Sequence, residues 1–306
     1  MNENHKSFAC DLESGICAEQ EGNQEHEVKL ATSRKLTIYY YTDPICSACW
    51  ALEPYLRKLE EAYGTQVTVE YRMGGLLRGW DQFSDRTNGI SKPSDVAGHW
   101  EEIAERSGMS MDGDVWLEDP LHSSYPPSIA FKAAQLQGRQ KAKAFLRRIR
   151  EMLFLEKINI AREEALLQAA DEVGLEPERF VSDLRDSSIT ERFYQEVEEG
   201  RRLGVRGFPS MIVVDEAGQG TLVAGYRSYE YYADVLSKVA KEPLIPSKMG
   251  YTAKQLLQKY GFLSTREVEV MLGLSYESAL TELRRLERER RVECVPVKFG
   301  FFWRDM

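Results

Sequence analysis

A short buried strand followed by a turn and a CxxC motif is the feature that most constrains this chain. The apolar, aromatic and β-branched run from Leu36 to Tyr41 is typical of a buried strand, and Asp43-Pro44 predicts a turn after it. Cys46-Ser47-Ala48-Cys49 follows, and apolar residues at helical spacing continue from Trp50 to Leu59. The pattern therefore predicts a cysteine pair at the start of a helix that leaves a central strand.

Strand, turn, CxxC and helix in this order are typical of the thioredoxin active site. Free backbone amides and the helix dipole stabilise an anion at a helix N-terminus, so Cys46 is predicted to be the thiolate-prone cysteine and Cys49 its buried resolving partner. Half of a zinc site is the alternative interpretation, because zinc ligands also occur at CxxC spacing.

A proline loop much later in the chain favours the redox interpretation over zinc. The Gly-rich stretch from Gly204 to Ser210 places Pro209 directly before the β-branched run from Met211 to Val214. In thioredoxin-like proteins a cis-proline at this position faces the CxxC motif and presents backbone to a bound partner. An ordinary loop proline is the alternative at Pro209.

Composition and charge indicate a two-domain protein without membrane spans. The chain has 306 residues, 42% of them hydrophobic, which is enough for a sizeable core. Its net charge of -9 argues against a phosphate-binding surface over the whole molecule. Neither a signal-like start nor a long uncharged apolar run is present, so we expect a cytoplasmic protein. A dithiol there is normally kept reduced, which disfavours a disulfide-inserting role.

The first 30 residues are polar and acidic and predict a flexible arm. Within it lie four potential soft metal ligands, which are His5, Cys10, Cys17 and His26. Their spacing is not that of a standard zinc finger. Three states remain open: a zinc-binding arm, a metal-free tail, and a Cys10–Cys17 disulfide under oxidising conditions.

Residues 31–242 are predicted to form the main α/β domain. A second strand over Gln66 to Arg72 precedes a long helical region at about 95–203, and strands return at Met211 to Asp215 and Thr221 to Ala224. The pattern predicts a thioredoxin core with an inserted helical region, which is the plan of DsbA-like proteins.

A linker at 243–250 and a small C-terminal module at 251–306 complete the prediction. Helix, helix, turn, helix and hairpin follow one another there, a winged-helix pattern whose second helix starts with a capping box at Ser264 and Glu267. The module carries ten basic and eight acidic residues, and the helix that would read DNA contains several glutamates. Carboxylates repel phosphates, so nucleic-acid binding is disfavoured and protein binding or packing is expected. The aromatic residues Phe299, Phe301, Phe302 and Trp303 are expected to pack the module together or against the main domain.

Four segments together make the chain resemble a known family. They are the CxxC strand and helix, the run WEEIAERSGMSMDGDVW from Trp100 to Trp116, the run AFKAAQLQGR from Ala130 to Arg139, and the terminal GFFWR from Gly300 to Arg304. The similarity is to the ClpXP adaptor family known as SpxH or YjbH and runs from about residue 34 to the end.

The resemblance implies a protease adaptor rather than an enzyme. Members of the family bind the transcription factor Spx and present it to the ClpX unfoldase of ClpXP, without a required cofactor, and their His- and Cys-rich N-terminal segment is linked to zinc. The family CxxC corresponds to Cys46 and Cys49, with Ser-Ala between them. Two alternatives are a cytoplasmic thiol-disulfide oxidoreductase that uses this pair and a redox-responsive DNA-binding protein that uses the C-terminal module.

Overall fold

The computed structural model describes residues 9–11, 16–18, 27–29, 36–81, 83–85 and 88–306. Within these residues lie ten strands and twelve helices. The strands are β1 Ala9–Asp11, β2 Ile16–Ala18, β3 Glu27–Lys29, β4 Leu36–Thr42, β5 Val67–Met73, β6 Ser210–Asp215, β7 Gln219–Ala224, β8 Phe262–Ser264, β9 Val292–Val297 and β10 Gly300–Asp305. The helices are α1 Ser47–Tyr63, α2 Pro93–Ser107, α3 Val115–Glu118, α4 Tyr125–Gln135, α5 Arg139–Glu156, α6 Glu163–Glu172, α7 Pro177–Arg185, α8 Ser187–Arg202, α9 Tyr229–Ala240, α10 Ala253–Tyr260, α11 Thr265–Leu272 and α12 Tyr276–Arg288.

The main sheet has five strands in the order β3-β7-β6-β4-β5. The inner strand β4 runs parallel to β5 and antiparallel to β6, with Ile38 opposite both Val69 and Val213. All residues of β4 except Tyr39 are buried, because helices cover both faces of the sheet at its centre. This arrangement confirms the predicted α/β fold with a thioredoxin core.

Helices α2 to α8 are inserted between β5 and β6 and occupy residues 93–202. Helix α2 begins at Pro93, and α4 begins at Tyr125, directly before Pro126 and Pro127. In both cases proline stands in the first turn, where its missing N–H would have had no helical partner. Proline inside a helix usually breaks it, but in these two helices proline marks the start.

The N-terminal segment predicted to be a flexible arm contains three short strands among its described residues. Strands β1 and β2 pair antiparallel with Cys10 opposite Cys17, and β3 pairs with β7 at the edge of the main sheet. Three residues are too few for a strand to show an alternating pattern in the sequence, and the flexible arm as a whole stays a prediction. His5 and His26 lie outside the described residues.

The C-terminal module follows residues 243–250, which form neither helix nor strand but are held against the main domain. The Ser247 N–H donates to the Ala62 carbonyl, and Leu244 is buried. Beyond them, helices α10, α11 and α12 pack with a three-stranded antiparallel sheet of order β8-β10-β9. The third strand, β8, adds to the predicted hairpin. The winged-helix assignment itself stays a prediction.

Strand β10 joins the module to the main domain. Neighbouring residues of a strand point to opposite faces. Phe302 accordingly lies in the main core, stacked on Trp50 at 6.3 Å between ring centroids, while Trp303 fills the core of the small module. Phe299 is 42% exposed, so the expectation that it packs is wrong. It sits in the turn between β9 and β10 with a positive φ.

A buried ion cluster secures the same junction. Glu267 of α11 is fully buried, and its carboxylate accepts hydrogen bonds from Arg147 at 2.9 and 3.0 Å and from Arg57 at 3.1 Å. The same carboxylate accepts from the Ser264 N–H at 2.8 Å and so completes the capping box of α11. Burial alone would raise the pKa of Glu267. The charges of the two arginines, with Arg147 contributing more than Arg57, outweigh burial and lower this pKa.

We expect Glu267→Gln to destabilise the protein by about 3–5 kcal/mol, because it removes the carboxylate charge that the largely buried Arg57 and Arg147 share, although Arg147 keeps its pair with Glu151. Glutamine can still cap the helix, so the substitution tests the charge alone. Urea denaturation measures the effect. The matched control is Glu289→Gln on the exposed face of the module, where water screens the pair with Arg285 and its loss changes stability little. Equal losses in the two variants would contradict a buried ionic junction.

The depressed pKa of Glu267 also sets a pH dependence. A carboxyl group whose pKa is lowered in the folded state stabilises the protein at pH values above its unfolded-state pKa. This stabilisation is lost as the pH falls through the lower, folded-state pKa. The difference in unfolding free energy between the wild type and Glu267→Gln is therefore expected to shrink with acidification. Repeating the urea series at falling pH measures this trend, and a constant difference would contradict it.

Candidate functional site

The CxxC motif stands where the sequence places it, between β4 and α1. Cys46 is the N-cap of α1 with an extended backbone, and its Sγ accepts a hydrogen bond from the Cys49 N–H at 3.2 Å. Residues Asp43 and Pro44 form the predicted turn. The structure thus has the strand, turn and helix of a thioredoxin-like site.

Both cysteines are buried, Cys46 with 2% of its surface exposed and Cys49 with none. Burial raises the pKa of the Cys46 thiol well above its ordinary value, and the neighbouring Cys49 and the Asp43 carboxyl group add to this. The prediction that Cys46 is the thiolate-prone cysteine is therefore wrong for this structure. The hydrogen bond from the helix N-terminus favours the thiolate, but it does not offset the loss of water around the sulfur.

A buried arginine behind the motif has the opposite effect on Cys49. The Arg150 guanidinium donates to Thr42 Oγ1 at 2.6 Å and to the Asp43 carbonyl at 3.1 Å, and it pairs with the Glu53 carboxylate. Burial alone would raise the pKa of Cys49, but the hydrogen bond from Cys46 and the charge of Arg150 outweigh it and lower the pKa. The sulfur that is better stabilised as a thiolate is thus the one without access to solvent.

Sequence reasoning missed Arg150. It lies on α5 beside the apolar stripe of that helix and 97 residues from its partner Glu53. An arginine on the buried side of an amphipathic helix is the signal that could have pointed to it, together with an acidic residue inside the CxxC helix.

The Asp43 carboxylate holds the turn and the loop after β5 together. It accepts hydrogen bonds from the Ile45 N–H at 3.1 Å, from the Leu76 N–H at 2.8 Å and from the Ser124 hydroxyl at 2.8 Å. Burial nevertheless raises the pKa of Asp43 to about 6. Its position is fixed by three elements of the fold, and its charge disfavours a thiolate at Cys46.

The Phe208–Pro209 peptide bond is cis, as the sequence predicts. Pro209 is followed directly by β6, and its carbonyl accepts a hydrogen bond from the Gly225 N–H at 2.7 Å. The Phe208 side chain packs in the same buried cluster as Cys46 and Cys49. The proline loop and the CxxC motif, far apart in sequence, are thus brought together.

A small apolar cavity of about 50 Å³ adjoins Cys46. Three tryptophans wall it: Trp116 contacts Trp80 and Trp100 edge to face, with ring centroids 5.9 and 5.3 Å apart. Trp80 donates its Nε1–H to the Leu121 carbonyl at 2.8 Å and so anchors the loop after β5. At this volume the cavity holds only a few water molecules.

The zinc prediction falls mostly outside the described residues. Cys10 and Cys17 are backbone partners in the β1–β2 pair, whereas His5 and His26 are not described. In the part of the chain that the structure describes, no group of three or more His, Cys, Asp or Glu residues could hold a metal ion. Among the same residues, no helix has the length and apolar character needed to cross a bilayer.

Comparison with known proteins gives the class first. A family model described as thioredoxin matches residues 39–234, which is the main domain without the C-terminal module. A putative protein disulfide isomerase from Nitrosomonas europaea superposes with a TM-score of 0.59 at 19% identity and covers 67% of this chain and 97% of its own. The cytosolic disulfide reductase DsbM from Pseudomonas aeruginosa superposes with a TM-score of 0.51 at 23% identity, over 67% of this chain and 95% of its own. Fold and site together define a DsbA-like protein of the thioredoxin class.

Curated relatives then identify the family. The ClpXP adapter protein SpxH of Halalkalibacterium halodurans is 34% identical over 304 residues, which is 96% of each chain. That of Bacillus subtilis is 32% identical over 293 residues, covering 93% of this chain and 95% of its own. The chain belongs to the SpxH family of ClpXP adapter proteins. This confirms the resemblance seen in the sequence.

We expect Cys46 to react with iodoacetamide at about pH 7 at least about tenfold more slowly than in the guanidinium-unfolded chain, because only the thiolate reacts and its fraction falls tenfold per unit of pKa. The rate should keep rising above the ordinary cysteine pKa of about 8.5. Mass spectrometry of the Cys46 peptide after timed alkylation measures it, with the partly exposed Cys294 as internal comparison. A rate equal to that of the unfolded chain would contradict the buried, high-pKa thiol.

Proposed function

We propose that this chain is an adaptor that binds the transcription factor Spx and promotes its degradation by ClpXP in the cytoplasm. The observation that carries the proposal is sequence identity of about one third with proteins named ClpXP adapter protein SpxH over nearly the entire chain, module and linker included. An adaptor raises the local concentration of its client at the protease, which requires binding surface and no chemistry.

The geometry of the CxxC site supports an adaptor over an enzyme. Dedicated thiol-disulfide enzymes present an exposed, low-pKa thiolate to their substrates. Here Cys46 is buried with a raised pKa, and the apolar cavity that adjoins it is small. The family members are named as adapters and not as enzymes.

The rigid junction between the two domains also suits this role. The Phe302–Trp50 stack and the Glu267 ion cluster fix the C-terminal module to the main domain. A platform that holds two binding surfaces at a constant separation loses little conformational entropy when it binds both client and protease.

Degradation of Spx by purified ClpXP, with and without this chain, tests the proposal. We expect Spx to disappear faster when the chain is present. Cys46→Ala with Cys49→Ala should leave Spx binding within a few fold of the wild type, because the thiols lie under the surface. Absence of any acceleration by the wild-type chain would remove the proposal, and complete loss of binding in the double variant would show that the thiols are required.

A thiol-disulfide oxidoreductase is the second candidate, and the cis-proline loop packed against the CxxC motif is the observation that favours it. Insulin reduction in a glutathione couple distinguishes the two functions. The adaptor is expected to turn over poorly in this assay. Turnover comparable to that of a dedicated thiol catalyst would favour the oxidoreductase.

The adaptor proposal requires no cofactor, and zinc in the N-terminal segment is a separate proposal. The pairing of Cys10 with Cys17 in the β1–β2 hairpin supports it, and a disulfide between the same cysteines is the alternative. Zinc content of the purified wild type and of Cys10→Ser with Cys17→Ser, together with thiol titration, distinguishes them. Equal zinc content in both proteins would contradict zinc binding by this pair.

A further inference from the structure

A groove beside the proline loop carries three arginines that form no ion pair with the residues that the structure describes. It has a volume of about 300 Å³ and lies between the end of β5, the end of α8 and the loop before Pro209. Arg78, Arg201 and Arg206 line it and are exposed. Among the described residues, none of the three forms an ion pair, and no carboxylate lines the groove.

These arginines differ from most cations nearby. Arg72 and Lys132, on the neighbouring strand and helix, both pair with the buried carboxylate of Glu196. The protein as a whole has nine more acidic than basic residues. A local concentration of unneutralised positive charge on an acidic protein is therefore a specific feature of this surface, and its field attracts negatively charged groups.

The floor of the groove is apolar and closely packed. Glycines permit this: a Cβ at Gly74 would stand 1.9 Å from the Phe208 ring, and one at Gly200 would stand 2.7 Å from the Tyr41 ring. Gly75 has a φ of +70° beside Tyr125 and Val197. Aromatic rings thus form the base of the groove, and the guanidinium groups stand at its rim.

The groove continues toward the CxxC site. Leu76 and Phe83 line both the groove and the small cavity next to Cys46. Arg206 braces the wall, since its Nη1 donates to the Arg201 carbonyl at 2.6 Å. Its other guanidinium nitrogens, like those of Arg78 and Arg201, form no ion pair among the described residues. Burial raises the pKa of Tyr125, and the charges of Arg201 and Arg78 act against that rise.

We propose that this groove binds an extended acidic segment of the client protein, with apolar side chains on the aromatic floor and carboxylates at Arg78, Arg201 and Arg206. Arginine pairs with carboxylates through two parallel hydrogen bonds, and an apolar floor excludes water from such pairs. The proposal adds detail to the adaptor function. It rests on that function only in naming the client as the protein that supplies the acidic segment. Nucleic acid fits less well, because the overall negative charge opposes a long polyanion.

Fluorescence anisotropy with the full-length chain tests the groove directly. The probes are a short labelled peptide that alternates Asp or Glu with Leu, its Asn and Gln counterpart, and labelled single-stranded oligothymidine. We expect the acidic peptide to bind at least about tenfold more tightly than the amide peptide and the oligonucleotide, and to lose affinity with added salt. Equal binding of the two peptides, or tighter binding of the oligonucleotide, would overturn the proposal.

Charge-reversal variants locate the binding. Arg78→Glu with Arg201→Glu should weaken the acidic peptide by at least about tenfold. The matched control is Arg192→Glu with Arg202→Glu, which makes the same charge change on the exposed face of α8 outside the groove and should stay within about twofold. Equal weakening in both variants would show a non-specific charge effect and overturn the proposal. Thermal unfolding of each variant confirms that these exposed substitutions leave the fold intact.

The same variants separate this inference from the adaptor function. If the Arg78→Glu, Arg201→Glu chain binds Spx and accelerates its degradation as the wild type does, the groove proposal fails and the adaptor proposal stands. If the wild-type chain binds the acidic peptide but never accelerates degradation, the adaptor proposal fails while the groove remains an acidic-segment site. Loss of both peptide binding and Spx binding in the groove variant alone supports the two together.

Discussion

The indole of Trp50 is the point on which the rest of the structure depends. It follows Cys49 directly, stacks on Phe154 of α5 at 5.3 Å and on Phe302 of β10 at 6.3 Å, and is covered by the Arg147 guanidinium at 4.5 Å. One ring therefore contacts the CxxC helix, the helical insertion and the C-terminal module. Aromatic stacking and the guanidinium over the ring add to the stabilisation that comes from burying a large apolar surface. If any one of these three parts moved away, the indole and the rings packed on it would be exposed to water.

The cysteine pair that precedes Trp50 is closely surrounded by other side chains as well. Its helix begins at the sheet and ends against the C-terminal module, and the space behind Cys49 is filled by Arg150 with Glu53 and Thr42. A reactive thiol needs exposure and a nearby cation on its own side. The fold instead places the cation behind Cys49 and the Asp43 carboxyl group on the side of Cys46. A redox motif can thus keep its backbone geometry while its environment changes toward a packed core.

Sequence patterns predict the local parts of this architecture well and the long-range parts poorly. The strand before the CxxC motif, the cis-proline and the capping box of Ser264 and Glu267 each depend on a few adjacent residues, and each is present. The capping pattern does not show that the same Glu267 carboxylate also binds Arg57 and Arg147, 210 and 120 residues away.

The site shows the same division between local and tertiary information. The N-cap position of Cys46 is visible in the sequence, whereas the burial that raises its pKa comes from the packing of other segments. The arginines of the groove are likewise invisible as a set, because Arg78 follows β5 and the other two stand at the end of the insertion. Only the closure of the insertion over the sheet puts them on one rim. The insertion therefore does more than enlarge a thioredoxin core: its Arg150 fills the space behind Cys49, and its last helix contributes Arg201 to the charged groove that we propose as a recognition surface.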